Sequence, residues 1–241
     1  MLQIKNLTKV YGGTKKAVDN LTLTVEKGDI FAFIGHNGAG KSTTIKACVG
    51  IIDFDEGDIL IDGRSVKEQP EFCKSQIAYI PDNPDIYEYL TGIEYLNLIG
   101  DIYKVDHNER NLLVEKYATD FEIKGNLGDY ISTYSHGMRQ KLVLISALIQ
   151  KPKLMIMDEP FVGLDPKASF TVKNIMREMC NNGCAIFFST HVLEVAEKLC
   201  NKVAIIKEGK LVVCGNTEEV VGNDTLEEVF LDSASNKGGE N

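Results

Sequence analysis

Gly35-His36-Asn37-Gly38-Ala39-Gly40-Lys41-Ser42 fits the spacing G-x-x-x-x-G-K-[ST], and each fixed position has a physical task. Glycine has no Cβ, so the backbone can curl until successive N–H groups point inward around an anion. A helix opening directly after the loop turns its positive end toward the same anion. Lys41 then reaches the β- and γ-phosphates of a nucleoside triphosphate, and the Ser42 hydroxyl ligates Mg²⁺. His36, Asn37, Ala39 and Thr43 complete a phosphate-binding set running from Gly35 to Thr43. At average glycine usage such a pattern arises by chance in roughly 1 chain in 100 of this length. A second element supplies carboxylates. Leu154-Met155-Ile156-Met157-Asp158-Glu159 reads as an apolar strand ending in two acids. Asp158 is placed to support Mg²⁺, and Glu159, one residue on, either orients or deprotonates an attacking water.

These groups need a sheet to hold them at one edge. Leu2 to Val10 and Leu21 to Val25 alternate apolar and polar residues, as half-buried strands do. Ile30 to Ile34 is apolar throughout and predicts a buried central strand feeding the glycine loop. A helix is expected from about Ser42 to Val49, ended by Gly50. Ile59 to Ile61, closed by Asp62-Gly63, predicts an edge hairpin strand, and Ile77 to Ile80 another short strand. From Pro84 to about Gln150 the pattern turns helical, with Ile93, Leu96, Asn97, Gly100 and Tyr103 in helical spacing, so a helical subdomain is inserted into the sheet domain. Strands resume at Leu154 to Met157 and Ala185 to Ser189, with a helix between them that opens after Asp165-Pro166. A last hairpin, Val203 to Ile206 and Leu211 to Val213, turns at Glu208-Gly209. The fold class expected is α/β: a P-loop sheet core with a small antiparallel β portion and the inserted helices. One domain spans residues 1–232, and a polar, frayed tail runs from Ser233 to Asn241.

The order of these motifs resembles the nucleotide-binding domain of ABC ATPases over nearly the whole chain. Tyr134-Ser135-His136-Gly137-Met138-Arg139-Gln140 is similar to the family's signature loop, although His136 and Met138 stand where glycine and glutamine are commonest. The resemblance implies that Ser135 and Gly137 meet the γ-phosphate held by a second subunit. A hydroxyl and free N–H groups at a helix start suit that anion. Gly163-Leu164-Asp165 resembles the loop through which the two ATP sites communicate, and Ser189-Thr190-His191 the segment carrying the switch histidine that contacts the γ-phosphate. Tyr11 resembles the aromatic residue that stacks on adenine; it also reads as a plain strand-end tyrosine. Asp82, in Pro81-Asp82-Asn83-Pro84, stands where the family usually has glutamine. Acidic residues there, and the segment from Pro84 to Leu90, resemble an exporter branch with separate membrane subunits. Asp82 then contacts Mg²⁺, or swings away until two subunits close, or merely forms a turn.

The resemblance implies an ATPase that uses ATP and Mg²⁺, works with ATP as a homodimer of two identical chains and drives a separate membrane-embedded subunit from the cytoplasmic face of the membrane. Composition agrees. The chain has 241 residues, 44% hydrophobic and 25% charged, and its net charge of −9 argues mildly against a nucleic-acid binder, which usually shows a basic stripe, although total charge does not exclude a local basic patch. No apolar run approaches the roughly 18 residues of a membrane span, and the N-terminus lacks the pattern of a secretory signal. The six cysteines form no C-x-x-C pair and read as reduced, mostly buried thiols of a cytosolic protein. Two other readings stay open: a soluble ABC-type switch acting on DNA or the ribosome, and a GTP switch. The first lacks the long coiled-coil insertion or second fused domain of such proteins. For the second, Asn201-Lys202-Val203-Ala204 fails at the aspartate of a guanine-reading loop.

Overall fold

In the computed structural model, residues 1–235 are described. In chain order the elements are β1 (Leu2–Tyr11), β2 (Lys15–Val25), β3 (Ile30–Ile34), α1 (Lys41–Cys48), β4 (Glu56–Ile61), β5 (Arg64–Ser65), α2 (Pro70–Gln76), β6 (Ile77–Ile80), α3 (Gly92–Ile102), α4 (His107–Asp120) and α5 (His136–Leu148). Then follow β7 (Leu154–Asp158), α6 (Pro166–Asn181), β8 (Ala185–Thr190), α7 (Leu193–Leu199), β9 (Lys202–Lys207), β10 (Lys210–Asn216), α8 (Thr217–Val221) and α9 (Leu226–Ser235).

They build two sheets. A four-stranded antiparallel sheet has the order β2-β1-β4-β5, and a six-stranded sheet has the order β10-β9-β3-β8-β7-β6. In the larger sheet only β10 runs antiparallel to its neighbour. The period-2 alternation of strand side chains divides its apolar residues between two cores. Phe31, Phe33, Ile156 and Phe187 point to a core shared with α1 and the antiparallel sheet. Ile30, Ala32, Ile34, Met155, Met157, Ile186 and Phe188 point the other way, into a core shared with the helices. Burial on both faces explains why these strands are apolar throughout.

The segment from 84 to 150 contains α3, α4, α5 and two short 3₁₀ turns, with no named strand. Its helices open on side-chain caps: Thr91 and Glu94 form a reciprocal capping box on α3, and Asp106 caps α4. α3 and α4 cross closely at Gly100, where a Cβ would stand 2.4 Å from Cδ of Arg110.

Several expectations change. β4 is not an edge strand, because β1 flanks it on one side and the two-residue β5 on the other. Its hairpin with β5 was legible at Asp62-Gly63, but the long-range pairing with β1 was not. β2 begins at Lys15, six residues before the alternating stretch. The helices α2, α7, α8 and α9 had no sequence expectation; the first three have 7, 7 and 5 residues, too short for a periodic signal. Of the expected frayed tail, residues up to Ser235 close α9 and the rest lies outside the described residues. Among the described residues no helix is long and apolar enough to cross a membrane.

Candidate nucleotide site

β3, β8, β7 and β6 lie side by side and parallel, with Ile34 opposite Thr190, Asp158 opposite Ser189, and Ile80 opposite Met157. Their carboxyl ends therefore open on one edge, the usual place for a ligand in an open α/β sheet. The glycine loop leaves β3 there, Asp158 and Glu159 end β7, Thr190 and His191 end β8, and Asp82 follows β6.

The loop turns through Gly38 (φ 81°) and Gly40 (φ 110°). Crowding fixes two of its glycines. A Cβ on Gly40 would stand 2.3 Å from the Ala17 carbonyl oxygen, and one on Gly35 2.6 Å from that of Ile206. Any side chain there would force the loop off β2 or β9. Lys41 is 6% exposed. Its ammonium donates to the carbonyls of Gly35 (2.6 Å) and His36 (3.3 Å) and lies 3.8 Å from Oε1 of Glu159. These partners make the burial of a cation tolerable. The Thr44 hydroxyl donates to the Gly40 carbonyl at 3.0 Å and ties the first turn of α1 to the loop.

Glu159 adopts φ 50°. That left-handed conformation costs a non-glycine residue about 1–2 kcal/mol, and persists only where its surroundings over-determine it. Here they do. The Glu159 N–H donates to Ser189 Oγ at 3.0 Å, and the Ser189 hydroxyl donates to Asp158 Oδ1 at 2.5 Å. Oε2 of Glu159 accepts from the His191 N–H at 3.4 Å and faces His191 Nδ1 at 3.0 Å. One carboxylate is thus held between an ammonium and an imidazole.

An open cavity of about 410 Å³ lies over these groups, within the range of small-ligand sites, about 300–1,000 Å³. Its walls bring together Tyr11, His36, Asn37, Gly38, Gly40, Lys41, Ser42, Thr43, Asp82 and Glu159, joined by Lys15 and Ala17 of β2. A larger cavity, about 720 Å³, lies between α7 and α8. Its walls carry Glu197, Glu218 and Glu219, an unsuitable surface for a phosphate, so the glycine-loop cavity is the candidate site.

The remaining expected residues stand off this lining. Gly35 contributes its carbonyl to Lys41, and Ala39 is buried. Asp158, 2% exposed, sits behind Glu159. His191 reaches the site through Glu159. Tyr79 lies close to both acids: burial, then the charges of Asp158 and Asp82, pushes its phenol up to about 12, so it is a neutral hydroxyl. Ser135 and Gly137 do not join the cavity of their own chain. Ser135 caps α5, accepting from the Met138 N–H at 3.3 Å. Gly137 packs on the loop 163–165, where a Cβ would stand 3.0 Å from the Gly163 carbonyl. In that loop Asp165 caps α6 and pairs with Lys141 at 2.7 Å, and this bond holds the Asp165 carboxyl below its ordinary range.

Sequence reasoning missed three participants. Nothing in the spacing marks Lys15 or Ala17, which reach the loop only through sheet pairing. Ser189 stood in the Ser189-Thr190-His191 triplet, but its bridge between Asp158 and the Glu159 backbone is a tertiary fact.

A sequence profile of the ABC transporter family matches residues 18–162. The ABC-type transporter ATP-binding protein EcsA of Bacillus subtilis is 34% identical over 233 residues, covering 96% of this chain and 94% of EcsA. The lipopolysaccharide export system ATP-binding protein LptB of Haemophilus influenzae is 31% identical over 237 residues, covering 96% of this chain and 97% of LptB. A solved ATP-binding subunit of an ABC transporter superposes with a TM-score of 0.93 at 32% identity, over 98% of this chain and 100% of that one. These comparisons do not favour a soluble switch acting on DNA or the ribosome. With a phosphate-cradling loop, a poised carboxylate and this relationship along its length, the chain belongs to the ABC transporter family, as an ATP-binding, ATP-hydrolysing subunit.

Proposed function

We propose that this chain powers an exporter as a homodimer that closes on two ATP molecules beneath a separate membrane-embedded subunit, at the cytoplasmic face of the membrane. Subunits of this family dimerise and pair with membrane subunits. The observation that carries the composite site is a separation: the P-loop, Asp82 and Glu159 share one cavity, while Ser135 and Gly137 lie outside it. An anion-suited helix start that does not line the glycine-loop cavity of its own chain is suited to a second chain's γ-phosphate. Export rests on LptB, an export-system protein by name, and on Asp82.

Within each site the loop N–H groups and Lys41 hold the β- and γ-phosphates. Glu159 orients or deprotonates the attacking water. His191, bonded to Glu159, contacts the γ-phosphate and reports its loss. Mg²⁺ fits the donors on chemical grounds, since Ser42, Asp158 and Asp82 offer hard oxygens. Among the described residues no group of three or more His, Cys, Asp or Glu stands together as a metal cage. When bound, Mg²⁺ neutralises charge on the phosphates. Asp82, as an acceptor-only carboxylate on the cavity wall, needs that screening near the γ-phosphate. The domain of residues 1–232, with residues 84–150 as its inserted helical part, belongs to the same proposal, and α9 carries it on to Ser235.

Tyr11 is 45% exposed at the cavity, with the Lys9 ammonium 5.4 Å from its ring centroid. Tyr11→Ala is expected to weaken ATP binding more than inorganic triphosphate binding. Base stacking is worth about 1–3 kcal/mol in single-stranded nucleic-acid sites, and the exposure of this ring points to the lower end. Calorimetry with both ligands checks it; equal weakening would leave Tyr11 a loop support.

The composite site is tested by mixing two inactive variants. Lys41→Ala spoils a chain's own P-loop, and Ser135→Arg spoils what it offers its partner. A mixed dimer retains one site with both parts intact. Neither variant turns over alone, and an equal mixture is expected to recover turnover, up to about half of parental, since each mixed dimer has one working site of two. No recovery, with mixed dimers present, would contradict action in trans.

A further inference from the structure

We propose that the C-terminal helix α9 backs the nucleotide site from behind its lining, and that Phe230 is a positioning residue that holds the His36 ring for the triphosphate. The proposal rests on the reading that ATP occupies the glycine-loop cavity.

His36 is the second residue of the loop and lines the cavity. Its carbonyl already accepts from Lys41 at 3.3 Å. Its ring, by contrast, makes no hydrogen bond among the described residues, and its contact is the Phe230 ring, 4.6 Å away between centroids and tilted by 52°. An exposed histidine otherwise samples several rotamers, and fixing one of them costs entropy when a ligand needs it. A ring tilted against Phe230 samples fewer orientations, while its edge carries an N–H donor in either tautomer. That edge can then donate to a phosphate oxygen with less freedom left to lose.

Phe230 can do this because α9 is itself anchored. Thr225 and Glu228 cap its start reciprocally: the Thr225 N–H donates to Glu228 Oε2 at 2.7 Å, and the Glu228 N–H to Thr225 Oγ1 at 3.2 Å. The Leu226 N–H donates to Oε2 of Glu197 on α7 at 2.8 Å, and the Leu226 side chain is fully buried. At the other end the Ser233 carbonyl accepts from Lys207 at 3.4 Å. α7 follows directly from the turn that carries His191. The helix therefore spans from the loop that grips the phosphates to the element behind the γ-phosphate contact. By linkage, whatever α9 does to ATP affinity, ATP does to the docking of α9.

The test is ATP binding by calorimetry to the full chain carrying Glu159→Gln, which prevents turnover. Phe230→Ala is expected to weaken binding about three- to tenfold. Val229→Ala, on the same helix and packed on the same core as Phe230, is expected to weaken it less than twofold. Phe230→Ala added to His36→Ala is expected to have no further effect, and Phe230→Tyr to restore binding. Equal effects of the two α9 variants, or full additivity with His36→Ala, would overturn the proposal and make Phe230 a fold residue. Amide exchange covers the case of a Phe230→Ala chain that does not fold. ATP is expected to slow exchange across residues 226–235 in the parent and not in His36→Ala, and the same slowing in both would overturn the proposal. Absence of ATP binding in the parent itself would overturn the site assignment, which is a different failure.

Discussion

Lys41→Ala is expected to abolish productive ATP binding and, with it, turnover. The ammonium is buried beneath the loop and is held by two carbonyls and the Glu159 carboxylate. Its desolvation is therefore already met in the protein, and a triphosphate entering the cavity meets a cation with little water left to shed. Removing one partner of a buried, hydrogen-bonded charge pair costs about 2–5 kcal/mol, roughly 30- to several-thousand-fold in affinity. Here the loss counts twice. The phosphates lose their cation, and Glu159 loses the positive charge that offsets its approach to them. Calorimetric titration with ATP checks the affinity, and phosphate release checks turnover. Unchanged turnover would contradict the role of the glycine loop.

Glu159→Gln is expected to bind ATP and barely hydrolyse it. Loss of a general base lowers a rate by about 10²–10⁴-fold. The substitution keeps the side chain's shape, and the amide oxygen can still accept from the His191 N–H. The backbone stays in its left-handed conformation, because that is held by Ser189 through the Glu159 N–H and not by the carboxylate. What disappears is the ability to take a proton from water. A single-turnover assay separates binding from chemistry; parental hydrolysis with normal binding would remove Glu159 from the mechanism.

The sequence carried much of this site because its parts are short and contiguous. Residues 35–43 hold their loop, cation and hydroxyl in one run, and the apolar strand before Asp158-Glu159 announces both acids. Parallel strands then bring separate runs to one edge without further information. The details that position these groups come from pairings across long stretches of chain. The strained backbone of Glu159 depends on Ser189, the glycine requirement at Gly40 on Ala17, and the orientation of His36 on Phe230. None of these leaves a local pattern. Leu226, Val229 and Phe230 do recur at helical spacing, which signals a helix but not what its face covers. Likewise β4 showed its turn and not its second neighbour, since pairing with β1 is set some fifty residues away in the chain.

Sizing the Glu159→Gln chain with ATP and Mg²⁺, against the same chain without nucleotide, tests the ATP-closed dimer most directly. The chain is 26.7 kDa. Two such chains should run together when ATP is present and unhydrolysed, because each ATP touches both, and Ser135→Arg added to the same chain should return it to the single mass. A chain that binds ATP fully and keeps the single mass, in its complex with the membrane subunit as well as alone, would contradict the sandwich.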